Sequence, residues 1–418
     1  MGFKEKVIEH LPKYIYYLTV VMFLMPIVPR GARPILIGIY ALGAITSMYF
    51  DKEKFRWGIF LLNSSLFFLY VFSLLYTEDI PYGLRKVSTG AAFIIFPLVF
   101  SSMSKRCLSY ILQRRFQLMW FFIIATLLLN VGAFIIFSQK YSFDEVILHF
   151  INIIRTNISG WKIHPIYLSM HIGVSMIFSL FLVQRGISWK KLSILIVINL
   201  ILIGFLLIMI KKGPIIALLL VVAFLTLMFK NKNLYVVFGI GTIGLISIII
   251  FNPKVNERFS ELLQVQDANE ELANSTNIRY SIYQCVTDVI PQAGFFGYGV
   301  GDGKNKLVEC YQKDAKFLAE NRYNSHNQFL GLILNVGFLG LFAFAIFLFY
   351  HLLKAFRKKN YLLIALLLFY SIVMFSENIL ERENGILFFA FFINLFLMWD
   401  YVMEKRSNKG TPINKIIP

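Results

Sequence analysis

The chain has 418 residues, of which 58% are hydrophobic and 15% charged, and its mean hydropathy is +0.67. A soluble domain is about 45–50% apolar and about 25% charged. This composition excludes a soluble protein and predicts an integral membrane protein with many spans. The net charge of +18 does not indicate nucleic acid binding, because no polar basic domain carries it and basic residues are common in the cytoplasmic loops of membrane proteins.

The apolar segments predict an all-α fold, because a helix that crosses a bilayer needs about 20 mostly apolar residues. About twelve segments qualify: 11–29, 32–50, 57–76, 88–103, 118–138, 164–184, 192–210, 213–229, 233–252, 328–353, 361–377 and 385–403. We expect a single membrane domain. Residues 1–252 would hold nine spans, residues 253–326 one long polar loop, and residues 327–418 three spans and a tail.

The short loops differ in their Lys and Arg content, and this difference predicts the orientation of the chain. Most of these residues fall on one side, which places both termini in the cytoplasm and the long loop in the periplasm or on the cell exterior. Lys211 and Lys212 break the pattern, since they lie on the outer side in a Lys-Lys-Gly-Pro turn. They either reach toward the interface from an apolar surface or form an anion site.

One histidine lies at the outer end of a predicted span. His164 opens the segment 164–184 and follows an outer loop of residues 139–163. Two interpretations remain open at this point. His164 either lies at the membrane interface without a further role, or it faces the site formed by the outer loops.

The long outer loop contains two predicted helices and a glycine-rich turn. Apolar residues at helical spacing predict one helix near Val255–Leu263 and a second near Ile278–Ile290. The turn Gly297–Gly303 lacks the Gly-Lys-Ser/Thr of a phosphate-binding loop, so we expect it to allow a tight bend or a close approach of the backbone to a ligand. A disulfide between Cys285 and Cys310 is compatible with an oxidising compartment.

The loop ends at Ser325-His326-Asn327, where the chain enters an apolar segment. Ser325 is a favourable N-cap, so we expect a helix that begins at His326. The positive end of the helix dipole would then favour a neutral imidazole, which can accept a proton. Alternatively, His326 is an interface residue that only caps the helix. The histidines are scattered and the cysteines lack ligand spacing, so neither a metal site nor a cofactor is predicted.

The outer side also carries cations suited to phosphate. Arginine binds phosphate oxygens through two donors and lysine acts as a point charge. Lys212, Arg258 and Arg279 would neutralise a departing diphosphate, and His326 would accept the proton of a hydroxyl acceptor. No nucleotide is present outside the cell, so the donor must bring its own energy. A glycan on a polyprenyl diphosphate meets this requirement.

The second half of the chain resembles the bacterial O-antigen ligase and O-antigen polymerase superfamily. The resemblance lies in these segments: Ile210-Lys211-Lys212-Gly213-Pro214-Ile215-Ile216-Ala217, Asn256-Glu257-Arg258-Phe259, Asn277-Ile278-Arg279-Tyr280, Gly297-Tyr298-Gly299, Ser325-His326-Asn327-Gln328-Phe329-Leu330 and Gly337-Phe338-Leu339-Gly340. The His-Asn element followed by Gly-x-x-Gly is the most specific part. The N-terminal half matches the family only in hydropathy.

The resemblance implies metal-independent transfer of a glycan from undecaprenyl diphosphate, with inversion at the sugar, in the bacterial inner membrane. It implies that His326 is the catalytic base and that Arg279 is also a catalytic residue. It also implies that Arg258 and Arg279 hold the diphosphate together with the Lys211–Lys212 turn. Lys212 occupies a position where the family commonly has arginine, and lysine cannot form the bidentate contact.

The acceptor distinguishes two functions within this family. A ligase attaches the glycan to lipid A-core, whereas a polymerase attaches it to a second lipid-linked repeat. The single dominant outer loop favours the ligase. A transporter or flippase is a third interpretation, but transporters carry charges at mid-membrane depth and often contain internal repeats. Here the spans are almost free of charge and the sequence shows no repeat.

Overall fold

The computed structural model describes residues 3–156, 163–231, 250–263 and 274–407, with residue 265 and scattered residues between 239 and 248. This described part is helical and contains no strand. The helices are α1 Phe3–Phe23, α2 Arg33–Phe50, α3 Trp57–Asn63, α4 Ser65–Ser73, α5 Ile80–Thr89, α6 Ala92–Ser102, α7 Lys105–Gln113, α8 Arg115–Ser138, α9 Phe143–Thr156, α10 Pro165–Gln184, α11 Trp189–Met209, α12 Lys212–Phe229, α13 Pro253–Ser260, α14 Ser275–Ala293, α15 Gly303–Asp314, α16 Lys316–Glu320, α17 Gln328–Arg357, α18 Tyr361–Met374 and α19 Glu383–Ser407.

Within the described residues, eight helical segments are long and apolar enough to cross a membrane. They are Arg30–Phe50, Ile80–Ser102, Arg115–Ser138, Pro165–Gln184, Trp189–Met209, Lys212–Phe229, Gln328–Arg357 and Glu383–Val402. Each corresponds to one of the predicted spans, so the helical membrane architecture is confirmed.

The other four predicted spans differ in their outcome. Segment 11–29 falls on α1, and 57–76 is divided at Ser64 into α3 and α4. Segment 361–377 gives the shorter apolar helix α18, and most of 233–252 lies outside the described residues. The count of twelve spans and the periplasmic position of the long loop therefore stay predictions.

Helix α19 is the centre of the bundle. Of its apolar window, 89% is buried within the protein, against 33% for α11, whose remaining surface is available to lipid. Aromatic side chains fill the space around α19, and Phe391 and Phe392 contact Phe23 edge to face. Such edge contacts are the favoured geometry of aromatic pairs.

Polar side chains connect three helices inside the bundle. Asn63 of α3 donates to Asn394 of α19 at 2.6 Å, and its carbonyl oxygen lies 2.8 Å from Nε2 of His351 of α17. Hydrocarbon offers no hydrogen-bond partners, so polar groups between membrane helices are satisfied by one another. This contact fixes α3 and α17 against the central helix.

The glycine-rich turn packs against a break in α17. Helical geometry is interrupted at Val336 and Gly337, and Gly337 has a φ of 68°. Backbone N–H groups of Tyr298 and Gly299 donate to helix carbonyls at 2.9 and 3.1 Å, and Leu339 donates back to the turn at 3.1 Å. These bonds replace helical ones lost at the break. The predicted approach of the turn to a ligand stays a prediction.

The outer loop forms a small helical unit with its own core. Apolar residues of α14, α15, α16 and α17 form a buried cluster: Ile282, Cys285, Val286, Leu307, Val308, Tyr311, Leu318 and Leu334. A disulfide joins Cys285 to Cys310 within it, and both predicted loop helices are present as α13 and α14. The loop is therefore anchored to the break region of α17.

Candidate functional site

His326 lies before a helix and not within one, which corrects the predicted cap. Helix α17 begins at Gln328, and the side chain of Asn327 accepts from the backbone N–H groups of Phe329 and Leu330 at 3.0 and 3.3 Å. Ser325 instead donates to the Asn327 carbonyl at 2.9 Å. The asparagine is the better placed acceptor because its amide reaches two donors of the first turn.

A left-handed backbone directs His326 away from the helix axis. Its φ is 43°, a conformation that most side chains avoid, and the side chain of Asn324 accepts from its N–H at 3.2 Å. The effect of a helix dipole is confined to the first turn, and His326 lies before that turn. A carboxylate lies close to its ring.

That carboxylate belongs to Glu377, which follows α18. Its Oε2 lies 3.3 Å from Nδ1 of His326, and the Glu377 side chain is only 8% exposed. Burial raises the pKa of Glu377, but contact with His326 and the charge of Arg279 outweigh it and lower that pKa to about 2. Glu377 is thus anionic and can hold the imidazole by its Nδ1 edge.

His326 and Glu377 line a cavity of about 810 Å³ at one end of the bundle. The complete lining is Arg30, Thr89, Arg155, Ile163, His164, Tyr167, Lys304, Asn321, Arg322, Tyr323, Asn324, His326, Glu377, Glu381, Arg382, Glu383 and Asn384. All except Thr89 and Tyr167 come from the connections and helix ends that the charge pattern assigns to the outer side. Five of these residues are Arg or Lys.

His164 lies in the same wall as His326, in agreement with the second interpretation of its position. The guanidinium of Arg155 donates to its Nε2 at 2.8 Å. Burial lowers the pKa of His164 to about 3, against the opposing charge of Glu377 and with support from Arg155. The imidazole is therefore neutral and acts as an acceptor that orients Arg155.

The other predicted cations form a second group, centred on Glu261. Lys212 contacts Glu261 at 2.8 Å and Thr276 at 3.1 Å. Arg258 contacts the other oxygen of Glu261 at 3.1 Å, and its side chain is 54% exposed. We call Lys212, Arg258, Glu261 and Thr276 the Glu261 cluster. None of its members lines the cavity.

Arg279 and Lys211 lie between the cavity and the Glu261 cluster. Arg279 donates to the carbonyl of Ser376 at 3.1 Å and to that of Ser275 at 3.0 Å. Burial, together with the charges of Arg155, Arg258 and Arg279, lowers the pKa of Lys211 to about 8 against the opposing charge of Glu377. The pKa of Lys211 therefore depends on charges of the cavity wall and of the Glu261 cluster.

Sequence reasoning missed Glu261 and Glu377, the two carboxylates that organise the predicted cations. One signal was available for Glu377. It lies in Ser376-Glu377-Asn378, directly after an apolar segment, and acidic residues at such positions often mark functional sites in membrane proteins. Glu261 gave no comparable signal, because it directly follows the polar helix α13, where a solvated carboxylate is common.

No group of three or more His, Cys, Asp or Glu residues in the described ranges is arranged to hold a metal ion. Mg²⁺ is bound through carboxylates, and zinc through histidine and cysteine. The acidic residues of the cavity wall contact basic side chains instead. Glu381, for example, forms an ion pair with Lys86.

A family model matches part of the chain, whereas no curated protein matches it. Residues 197–345 match the family model described as O-antigen ligase. The matched range contains Lys211, Lys212, Arg258, Arg279 and His326, and it ends before Glu377. This part of the chain is therefore similar to O-antigen ligases, which supports the resemblance to the O-antigen ligase superfamily.

Proposed function

We propose that this protein is an inner-membrane glycosyltransferase that moves a glycan from undecaprenyl diphosphate to an acceptor hydroxyl, with lipid A-core as acceptor. The observation that carries the proposal is the contact between His326 and Glu377 in the wall of a cavity rich in basic residues. An imidazole held by a carboxylate suits proton abstraction. Arg279 and Lys211, which lie outside the cavity wall, suit a diphosphate leaving group.

The proposed reaction is a single displacement. The acceptor oxygen attacks the anomeric carbon of the donor, and the bond from that carbon to the diphosphate breaks. The hydroxyl proton passes to Nε2 of His326, since Nδ1 faces Glu377. One displacement inverts the sugar, and the diphosphate leaves with the lipid.

The donor diphosphate is proposed to bind near Arg279 and Lys211, with the Glu261 cluster beside them. Arg279 already donates to two backbone carbonyls, which fixes its guanidinium. Lys212 and Arg258 share Glu261, so a diphosphate would compete with that carboxylate for both cations. Lys212 contributes charge without a bidentate contact.

Purified protein, supplied with an undecaprenyl-diphosphate glycan and lipid A-core, tests the proposal. We expect free undecaprenyl diphosphate and glycosylated core as products, both measurable by mass spectrometry. His326→Ala should reduce the rate by about 10²–10⁴-fold, the usual contribution of a general base. His149→Ala is the matched control, because His149 is exposed on α9 and lies outside the cavity wall.

Three outcomes contradict the proposal in different ways. Transfer at the normal rate by the His326→Ala protein would show that His326 is not the general base. Transfer only to a second lipid-linked repeat identifies a polymerase. Movement of the lipid-linked glycan across a bilayer without release of undecaprenyl diphosphate identifies a transporter.

A further inference from the structure

The basic residues of the cavity wall come from two parts of the protein. Lys304 and Arg322 belong to the helical outer loop, whereas Arg30, Arg155 and Arg382 lie at or between the ends of the membrane helices. Both groups face one volume of about 810 Å³, which lies within the usual range of ligand pockets. A molecule in this cavity would contact the loop and the bundle together.

In the described part of the chain, no carboxylate of the wall forms an ion pair with Lys304, Arg322 or Arg382. Glu377 contacts His326, Glu381 pairs with Lys86, and Glu383 lies 3.4 Å from Arg33. Lys86 and Arg33 are outside the cavity wall. Each of the three carboxylates therefore has another partner.

Two of the basic residues contact neutral side chains. Arg155 contacts His164, and Arg322 donates to the side-chain oxygen of Asn305 at 2.7 Å. Lys304 and Arg382 form no ion pair with a carboxylate in the part of the chain that the structure describes. Cations without carboxylate partners in a concave wall attract an anion.

The basic residues around Lys304 repel its positive charge and so contribute to the lowering of its pKa. Burial lowers the pKa of this lysine, and the charges of Lys86, Arg322 and Arg382 lower it further against the opposing charge of Glu381. A negative group bound between them would relieve this repulsion. A bound anion would thus offset the positive charge of the wall.

The cavity is distinct from the cations proposed for the donor. Lys212, Arg258 and Arg279 are absent from its wall, and the first two are already bound to Glu261. His326, the proposed base, is part of the wall. A base must lie beside the hydroxyl whose proton it accepts, so the cavity is on the acceptor side of the reaction.

We infer that the cavity is an acceptor subsite selective for an acidic glycan, one that carries a carboxylate or phosphate close to the reacting hydroxyl. Lys304, Arg322 and Arg382 would bind this anionic group. The acceptor role rests on the proposed function, whereas the binding of an acidic glycan can be measured without any transfer.

The direct test is binding of trigalacturonic acid and of the neutral galactose trimer to the full-length protein, measured by calorimetry. We expect the acid trimer to bind and the neutral trimer to bind at least tenfold more weakly. Lys304→Gln and Arg382→Gln should each lower the affinity for the acid trimer on the order of tenfold, which corresponds to the loss of one charge-assisted hydrogen bond. Lys306→Gln is the matched control, because Lys306 lies on the same helix and pairs with Glu309.

Farnesyl diphosphate resembles the lipid diphosphate of the donor. Its binding shows whether the cavity binds an anion of the acceptor or the diphosphate of the donor. The inference expects both ligands to bind at once, and the Lys304→Gln and Arg382→Gln proteins to keep their affinity for farnesyl diphosphate. Displacement of the acid trimer by farnesyl diphosphate would show one shared anion site and overturn it. Equal binding of the acid and neutral trimers would also overturn it.

Binding and transfer are measured separately, so the subsite and the transferase are tested independently. Selective binding of the acid trimer without any transfer would support the subsite and contradict the transferase. Transfer to acidic and neutral acceptors at equal rates would support the transferase and contradict the subsite. Unchanged thermal unfolding of the Lys304→Gln and Arg382→Gln proteins confirms that any loss of binding is local.

Discussion

His326 reaches its position through contacts that each act on a different part of the residue. Asn324 holds its backbone N–H, and Asn327 caps the helix that follows. Glu377 contacts Nδ1 of the ring. The contact with a carboxylate leaves Nε2 as the nitrogen that can receive a proton. The chemistry of one histidine thus depends on residues of two connections.

Replacement of Glu377 by Gln keeps the size of the side chain and removes its charge. We expect kcat to fall between about 10-fold and 10⁴-fold, the range that orienting carboxylates show, with little change in the KM of the donor. Steady-state kinetics of the purified protein gives both values. Glu309→Gln, at an exposed loop carboxylate, should behave as wild type. A rise in KM alone would assign Glu377 to donor binding.

Lys211 predicts a pH dependence of donor binding. Its pKa is lowered to about 8, so the side chain is charged below that pH and loses its charge above it. Because a charged lysine attracts phosphate, donor affinity should fall as pH rises through about 8. Lys211→Arg should abolish this fall, since arginine keeps its charge. An unchanged profile in Lys211→Arg would show that another group titrates.

At the scale of elements, the break in α17 and the glycine-rich turn form one structural unit. Gly337 has φ 68° and ψ −167°, a conformation that is essentially restricted to glycine. A Cβ at this position would also collide with the backbone carbonyl of Phe295. The turn and the break therefore require glycine at the point where they meet.

Gly337→Ala should destabilise the protein by at least about 1–3 kcal/mol, the cost of such a backbone conformation. Thermal unfolding in detergent measures the effect. Gly132→Ala is the control, because Gly132 lies within α8 with open space around it and alanine favours helix by about 1 kcal/mol. Equal stability of the two variants would contradict the assigned role of Gly337.

The disulfide stabilises the loop that supplies Lys304 and Arg322. It joins Cys285 and Cys310 across 25 residues, and cross-links of this size contribute about 3 kcal/mol in the chain-entropy model. Replacement of both cysteines by serine should speed proteolysis within the loop, as followed by gel electrophoresis. Cys107→Ala, at the free buried cysteine of α7, should leave that rate unchanged. Equal rates in both proteins would remove the stabilising role.

At the scale of the whole molecule, the helix bundle brings several connections together in one cavity wall. Arg30 lies between the first two long helices, Arg155 ends α9, and Arg382 precedes α19. These residues are far apart in sequence and contribute to one cavity. The charge pattern assigns all three to the same side of the membrane.

This assignment can be tested with a membrane-impermeant thiol reagent on a cysteine-free variant in cells with a permeabilised outer membrane. Single cysteines at Asp144 and Lys306 should react, whereas those at Lys52 and Lys359 should react only after the inner membrane is opened. All four side chains are at least partly exposed, so accessibility follows topology. Reaction of Lys52→Cys in sealed cells would contradict the predicted orientation.

The sequence by itself determined the membrane class, the helical fold and eight of the spans, because hydropathy and segment length are local properties. It also predicts that His326, Arg258, Arg279 and the Lys211–Lys212 turn belong to the site, through residue chemistry and family resemblance. It assigned the helix cap to Ser325, because Ser325 and Asn327 can both cap a helix and only the backbone geometry selects Asn327.

Only the tertiary structure decided which charges meet. Glu377 faces His326, Glu261 takes Lys212 and Arg258, and Arg382 joins the cavity wall without a carboxylate partner among the described residues. These pairings join connections that are distant along the chain, so no local pattern reports them. The physical reason is that helix packing sets the distances between outer connections, and electrostatic interaction depends on those distances.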